Sequence, residues 1–295
     1  MPAYLSWVNL ADTATITAID PYTGIAAVMQ RPLTELAVPF AKGLCRGPSN
    51  GSGTVLNPTK LKLRADLGST LGFHCIGVVG LNIPAGVGGS MAVRISDVAL
   101  GDSELENTTV YFTQDYSNGS EASAFWWFAP SFTFTGRYIE LEIRIVGQPS
   151  GQRYVDARRL LIMTGGGSLL GFDSGWSIFR DNPTIDTQTD QGGVFITEKE
   201  ESRVLRFSMS GRSEAEMKTA IRSEAAGYDN LELVLAKAGK RKEVVACPRY
   251  YTDDARKHKN TLYGRITEWS PIVHDGGDYY SCDGITVKEI PHPPL

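Results

Sequence analysis

Tyr138-Ile139-Glu140-Leu141-Glu142-Ile143-Arg144-Ile145 alternates aliphatic and charged residues along most of its length. A period of two places Ile139, Leu141, Ile143 and Ile145 on one face and Glu140, Glu142 and Arg144 on the other, a division that a 3.6-residue period would scramble. The stretch is predicted to be a strand with one dry and one wet face. Upstream, Met91-Ala92-Val93-Arg94-Ile95-Ser96 alternates in the same way. Phe73 to Leu81 is instead nearly continuous in apolar residues, which places it centrally in a sheet. Asn82 to Gly89 between them reads as a turn. Short alternating runs of this kind, punctuated by Gly, Pro, Asn and Asp, continue to about Gly167 and predict an all-β sandwich. The Gly165-Gly166-Gly167 run then marks a boundary, because three glycines lose too much backbone entropy inside a strand. The expected division is a first domain over 1–167, with an extended amino-terminal segment, and a second over 168–295.

The second region changes character. In Arg203-Val204-Leu205-Arg206-Phe207-Ser208-Met209-Ser210, Leu205, Phe207 and Met209 share one strand face. Ser213 followed three residues later by Glu216 is the spacing of a reciprocal helix cap, and Gly227 supplies the stop, so a helix is predicted over 214–226. A strand is expected at Leu231 to Leu235, then two tyrosine-rich strands, giving a smaller α+β module. The polar stretch from Asp173 to Gly193 has little periodicity and reads as an extended arm or a long surface loop.

Bulk properties narrow the function. A chain of 295 residues with 42% hydrophobic residues can bury a core in each domain. A net charge of -4, without a basic block interleaved with aromatics, argues against nucleic acid as a partner. No stretch approaches the roughly 18 apolar residues of a membrane span, and the start lacks a basic region followed by an apolar run. Synthesis in the cytosol is expected. The four cysteines, Cys45, Cys75, Cys247 and Cys282, are too dispersed for a zinc or redox motif. Small buried hydrophobes is one reading of them; a Cys247–Cys282 bridge is the sharper alternative.

Two blocks carry family resemblances. Arg64-Ala65-Asp66-Leu67-Gly68, Ile76 to Asn82, Val93 to Asp97, Phe134 to Ile143 and Tyr154 to Leu161 together resemble the galactose-binding-like, or discoidin-like, jelly roll. That resemblance implies an antiparallel sandwich whose ligands meet the loops at one end. The block from Arg203 to Ala220, with Leu262-Tyr263-Gly264-Arg265-Ile266-Thr267-Glu268-Trp269-Ser270-Pro271-Ile272, is similar to tail-tip and baseplate structural proteins of long-tailed bacteriophages. It implies a non-enzymatic virion component at the distal end of a tail, assembled in the host cytoplasm as a trimeric or hexameric ring. Its partners would be other tail-tip proteins, with a host glycan as a further contact and no membrane insertion.

The candidate sites are few. Tyr116, Trp126 and Trp127, in and before Phe125-Trp126-Trp127-Phe128, offer aromatic faces of the kind that stack on sugar rings. Adjacent strand residues point to opposite faces, so at most one tryptophan can serve, and subunit contact and core packing stand ahead of sugar binding as roles. Arg203, Arg206, Tyr263, Arg265 and Trp269 are the expected interface residues, a solvated sheet face being the alternative. His74 lies in an apolar run and reads as a satisfied core residue. His274, Asp275 and Asp278 surround a Gly-Gly turn, where aspartate serves turn formation better than metal binding. No Ser/His/Asp order or carboxylate pair emerges, and neither an enzyme nor a cofactor is expected.

Overall fold

The computed structural model describes residues 4–19, 33–37, 45–46, 59–81, 88–98, 106–113, 124–128, 134–146, 155–164, 172–181, 185–188, 194–197, 201–217, 230–248 and 260–290. In chain order the first strands are β1 (Tyr4–Ser6), β2 (Val8–Asn9), β3 (Thr15–Ile19), β4 (Cys45–Arg46), β5 (Thr59–Phe73) and β6 (Cys75–Val79). Then come β7 (Gly88–Ser96), β8 (Glu106–Thr113), β9 (Ala124–Phe128), β10 (Phe134–Val146), β11 (Asp156–Ala157) and β12 (Arg159–Thr164). The remainder are β13 (Ser177–Asp181), β14 (Ile185–Gln188), β15 (Val194–Thr197), β16 (Ser202–Ser213), helices α1 (Glu214–Met217) and α2 (Leu231–Lys237), β17 (Val244–Cys247), β18 (Leu262–Glu268), β19 (Val273–Gly276) and β20 (Tyr279–Glu289).

The protein is mainly antiparallel β, a jelly-roll sandwich followed by a smaller α+β module. One sandwich sheet has the order β3-β5-β10-β7-β8 and the other β2-β12-β6-β9. Their inner faces share one core, in which Leu61, Leu63, Val93, Leu141 and Ile143 meet Ile76, Val78, Phe125, Trp127 and Ile162. The alternation of the central strand β10 is realised: Ile139, Leu141 and Ile143 are buried. On its outer face Glu140 is held by Lys62 at 2.8 Å, Arg64 at 2.7 Å and Arg94 at 3.4 Å. Lys60 and Glu142 add a further pair at 2.8 Å. The two antiparallel ladders of β10, with β5 and with β7, thus sort the strand into core and charge network.

The second module is built on a seven-stranded sheet, β1-β17-β18-β20-β16-β13, with β19 paired to β20. Leu205, Phe207, Met209, Ile266, Ile285 and Val287 pack beneath Leu231, Val234 and Leu235 of α2 and Met217 of α1. Phe172 stacks on Phe207 with ring centroids 3.6 Å apart. The cap at Ser213 forms through Glu216 Oε2, which accepts from both the Ser213 backbone N–H at 3.0 Å and its hydroxyl at 2.9 Å. Of the predicted helix, residues 214–217 are described and 218–226 lie outside the described residues.

Three expectations are corrected. Leu231 to Leu235 is helical rather than extended: the Asn230 side chain accepts the Leu233 N–H at 2.9 Å, and Leu231, Val234 and Leu235 are buried at i, i+3 and i+4 spacing. The stretch from Asp173 to Gly193 is neither a bare arm nor a plain loop. It contributes β13 to the large sheet, pairing Ser177–Asp181 with Ser202–Arg206, and β14, which pairs with β15. Finally, Tyr4–Ser6 belongs to the second module's sheet, where it pairs with Val245–Cys247. Val8–Asn9 crosses to the sandwich and pairs with Met163–Thr164, so this segment stitches the modules together.

Candidate functional site

The site grows from the outer face of the four-stranded sheet. Strands β6, β9 and β12 are apolar on both faces, and their outward side chains Cys75, Val79, Trp126, Phe128, Leu161 and Met163 meet Tyr4, Val245, Cys247 and Tyr263 of the second module. Tyr4 and Phe128 meet edge to face at 5.4 Å. Gly77, paired opposite Trp126, makes room for the indole: a Cβ there would lie 2.3 Å from the ring. Glycine on one strand thus lets the tryptophan of the next lie across it, so the sheet presents a flat apolar face.

One arginine pins this apolar seam. Arg159 follows Arg158 at the start of β12, and its side chain is only 2% exposed. It donates through Nε and Nη2 to Glu243 Oε2 at 3.1 and 2.8 Å, through Nη2 to Asp12 Oδ1 at 2.6 Å, and through Nη1 to the Leu36 carbonyl at 3.1 Å. Glu243 precedes β17, so the pair spans the two modules. The Tyr263 hydroxyl donates to the other Glu243 oxygen. Burial, with Glu243 adding, pushes the Tyr263 phenol far above its ordinary range, so it remains a donor. Burial works against the guanidinium charge, but Glu243, Tyr263 and Asp12 together hold Arg159 above its ordinary value. Burial also raises the Asp12 carboxyl against the pull of Arg159. Asn9 closes the arrangement, donating to Asp12 Oδ1 and the Leu160 carbonyl and accepting from the N–H groups of Ala11 and Ile162.

Beside this network a cleft of about 290 Å³ opens between the modules. Its lining includes Trp7, Val8, Asn9, Asp12, Leu161, Met163, Arg241, Lys242 and Glu243. The Lys242 ammonium lies 4.4 Å and that of Lys237 5.6 Å from the Trp7 ring centroid, within cation–π range. Arg241 and Lys242 are exposed at the turn after α2.

The residues singled out in the sequence are placed as follows. Trp127 is 5% exposed and lies in the sandwich core near Phe73; Trp126 is 3% exposed and lies in the seam. Neither indole has a face open to a sugar, which corrects the stacking expectation for both; Tyr116 lies outside the described residues. Tyr263 is 3% exposed and serves the contact between modules rather than a contact between subunits. Arg203 is turned inward on Glu289, with Nη2 to Oε1 at 2.5 Å. Arg206, Arg265 and Trp269 are exposed, with the Lys240 ammonium 5.8 Å from the Trp269 ring centroid. His74 is half-buried, its Nδ1 lacks a hydrogen-bond partner, and burial lowers its pKa, so it is not the satisfied core residue expected.

His274 Nε2 meets the Gly277 carbonyl at 2.5 Å and Asp275 accepts from Ser281, both within the β19–β20 hairpin. No group of three or more metal-type ligands occurs among the described residues. All four cysteines are buried and none is in a disulfide. Cys247 sits in the seam with Cys75, while Cys282 lies in the core under α2 and meets the Ser270 carbonyl at 3.2 Å, so the suggested Cys247–Cys282 bridge is absent.

No protein-family model matches the sequence, and no curated protein matches it. Among solved structures, the family 32 carbohydrate-binding module of Clostridium perfringens NanJ, in complex with galactose, is similar at 13% identity and TM-score 0.32, covering 54% of this chain and 99% of that one. The lectin domain of lectinolysin, complexed with Lewis B antigen, is similar at 11% identity and TM-score 0.32, covering 52% and 95%. Chitosan-binding module 1 from a Paenibacillus chitosanase/glucanase is similar at 15% identity and TM-score 0.33, covering 52% and 98%. The fold assignment rests on the sheet order and core described above.

Sequence reasoning missed Arg159, Glu243, Asp12 and Trp7. One signal was available. Arg158-Arg159 directly precedes the apolar run Leu160 to Met163, and an arginine at the start of a strand that is dry on both faces requires a buried carboxylate partner.

Proposed function

We propose that the protein is a non-enzymatic binding and assembly component, in which the discoidin-like sandwich is the outward, ligand-facing part and the α+β module is its fixed base. The observation that carries this reading is the seam: Arg159 of the sandwich is buried against Glu243 of the second module within a continuous apolar contact. Such a contact suits a part whose work is to hold position, because it suppresses relative motion of the modules. Four exposed large apolar side chains of the described residues, Phe179, Trp269, Val273 and Tyr279, lie on the second module, against Val98 on the sandwich. They are candidates for burial by neighbouring subunits.

The finer reading is a virion structural protein of a long-tailed phage, a ring-forming tail-tip or baseplate part connecting tube or hub to receptor-binding fibres. It rests on the resemblance carried by Arg203 to Ala220 and Leu262 to Ile272. Host-glycan contact by the sandwich is the second reading, favoured by the resemblance of its strand segments to galactose-binding-like jelly rolls and by its two-sheet antiparallel architecture. Its ligand site would be the loops at one end of the sandwich, since both tryptophans are buried. Native mass spectrometry of the full chain tests the first: a closed trimer or hexamer is expected, and a monomer at all concentrations contradicts it. A glycan array tests the second, and absence of binding to any glycan removes it.

A further inference from the structure

The outer face of the five-stranded sheet of the sandwich is basic, although the chain as a whole carries a net charge of -4. Register places Lys60, Lys62, Arg64 and Asp66 of β5 beside Arg144, Glu142, Glu140 and Tyr138 of β10, with Arg94 of β7 on the other side of Glu140. Arg137 takes up both oxygens of Asp66, at 2.8 and 3.0 Å. Lys60, Lys62, Arg64, Arg94 and Arg144 are then set against only Glu140 and Glu142, so positive charge is in excess along these central strands. Arg94 and Arg144 are exposed, and Arg144 pairs with no described carboxylate. Ala92 and Tyr138 lie half-buried on the same face and, with the lysine and arginine stems, give it apolar ground.

The second module carries the converse surface. Glu268 to Asp283 contains Glu268, Asp275, Asp278 and Asp283 but neither lysine nor arginine, and these carboxylates are exposed. Within the segment β19 pairs with β20 alone and every one of its residues is exposed, so the β19–β20 hairpin stands out from the sheet. The same segment bears Trp269, Val273 and Tyr279, three of the exposed large apolar side chains. Arg206 and Arg265, exposed cations of the same sheet, stand opposite Thr286 and Lys288, toward the other end of β20.

We propose that the acidic β19–β20 hairpin of one copy docks on the basic outer sheet face of the next copy, an inference that rests on the ring reading and names its contact. The hairpin carboxylates meet the cations of the face, and Trp269 and Tyr279 lie against guanidinium planes and aliphatic stems. Like charges keep basic face from basic face and hairpin from hairpin, so the contact joins two different surfaces. A contact of that kind propagates head to tail and closes as a ring rather than as a twofold dimer. A soluble acidic polymer would match the cations and leave Trp269, Val273 and Tyr279 in water. A second copy satisfies both surfaces at once.

The test is sedimentation velocity and native mass spectrometry of the full chain with paired charge reversals. Arg94→Glu with Arg144→Glu, and Glu268→Lys with Asp278→Lys, are each expected to weaken self-association by roughly tenfold or more, and a chain carrying all four substitutions is expected to assemble again to the wild-type stoichiometry. Association of the wild type is expected to weaken as salt is raised. The unfolding midpoint of each variant is the control for folding. Arg144→Glu, which disturbs no described ion pair, is expected to weaken association by itself, so the test survives if the Arg94 substitution unfolds the sandwich. A closed ring that either pair of reversals leaves intact, or no recovery in the chain carrying all four, would overturn the proposal and leave the ring reading standing. A wild-type chain that stays monomeric and instead binds polyglutamate through Arg94 and Arg144 would remove both.

Discussion

The two outer faces of the sandwich are built on opposite principles. Outside β10 the face is wet, and Glu140 gathers Lys62, Arg64 and Arg94 in a charge ladder. Outside β6, β9 and β12 the face is dry, and a single arginine, Arg159, is sealed beneath the second module. The same kind of interaction, an arginine with a carboxylate, therefore carries different weight on the two faces. The Glu140 pairs keep partial exposure, so water and ions screen them and each contributes less than a fully buried pair. A buried pair loses hydration from both partners, and removing one leaves the other charge uncompensated. The wet ladder tunes the surface, whereas the dry pair decides whether two modules behave as one.

Substitutions that break this contrast are ranked by that argument. Arg159→Ala strands Glu243 in the seam and is expected to destabilise the protein by about 3–5 kcal/mol, read as a lower urea midpoint. Tyr263→Phe keeps the ring packed but removes one donor to the buried Glu243 carboxylate, with an expected cost of about 1.5–3 kcal/mol by the same measurement. A loss as large as that of Arg159→Ala would mean that Tyr263 carries the seam. Gly77→Ala drives a Cβ into the Trp126 ring and is expected to cost about 1–3 kcal/mol; an unchanged midpoint would show that the indole shifts freely.

Glu140→Gln should have the smallest effect, under about 1 kcal/mol at neutral pH. Its pH dependence sharpens the comparison. Burial opposes the Glu140 charge, but Lys62 and Arg64 outweigh it and hold the carboxyl below its ordinary value of 4.5. A depressed carboxylate contributes stability that is full above the unfolded value and is lost as pH falls through the folded one. The difference in melting temperature between wild type and Glu140→Gln should therefore be greatest near neutrality and shrink below about pH 4. A difference that grows on acidification would contradict the assignment of Glu140 as a paired carboxylate.

The contrast between the faces also explains what could be read in the sequence. Strand β10 announces itself because one side faces water, so alternation survives in its residues. Phe73 to Leu81 and Phe125 to Phe128 are nearly all apolar because both sides are covered, and a continuous run states burial without naming the cover. Hence the sequence leaves core, interface and ligand all open as roles for Trp126 and Trp127. The Leu231 strand expectation failed for a local reason: Leu231, Leu233 and Leu235 alternate, and Asn230 as a cap outweighs that pattern. The buried partners of Arg159, Glu243 across the seam and Asp12 within the sandwich, lie 84 and 147 residues away in sequence, so no local pattern specifies them. Tyr4–Ser6 is equally silent, since three residues carry no periodicity and their partner strand is Val244–Cys247.

The central claim is that the seam makes the sandwich and the α+β module one cooperative unit. Scanning calorimetry of the full chain tests it most directly. The account predicts a single endotherm whose calorimetric and van't Hoff enthalpies agree. Two separated transitions in the wild-type protein, one for each module, would contradict it.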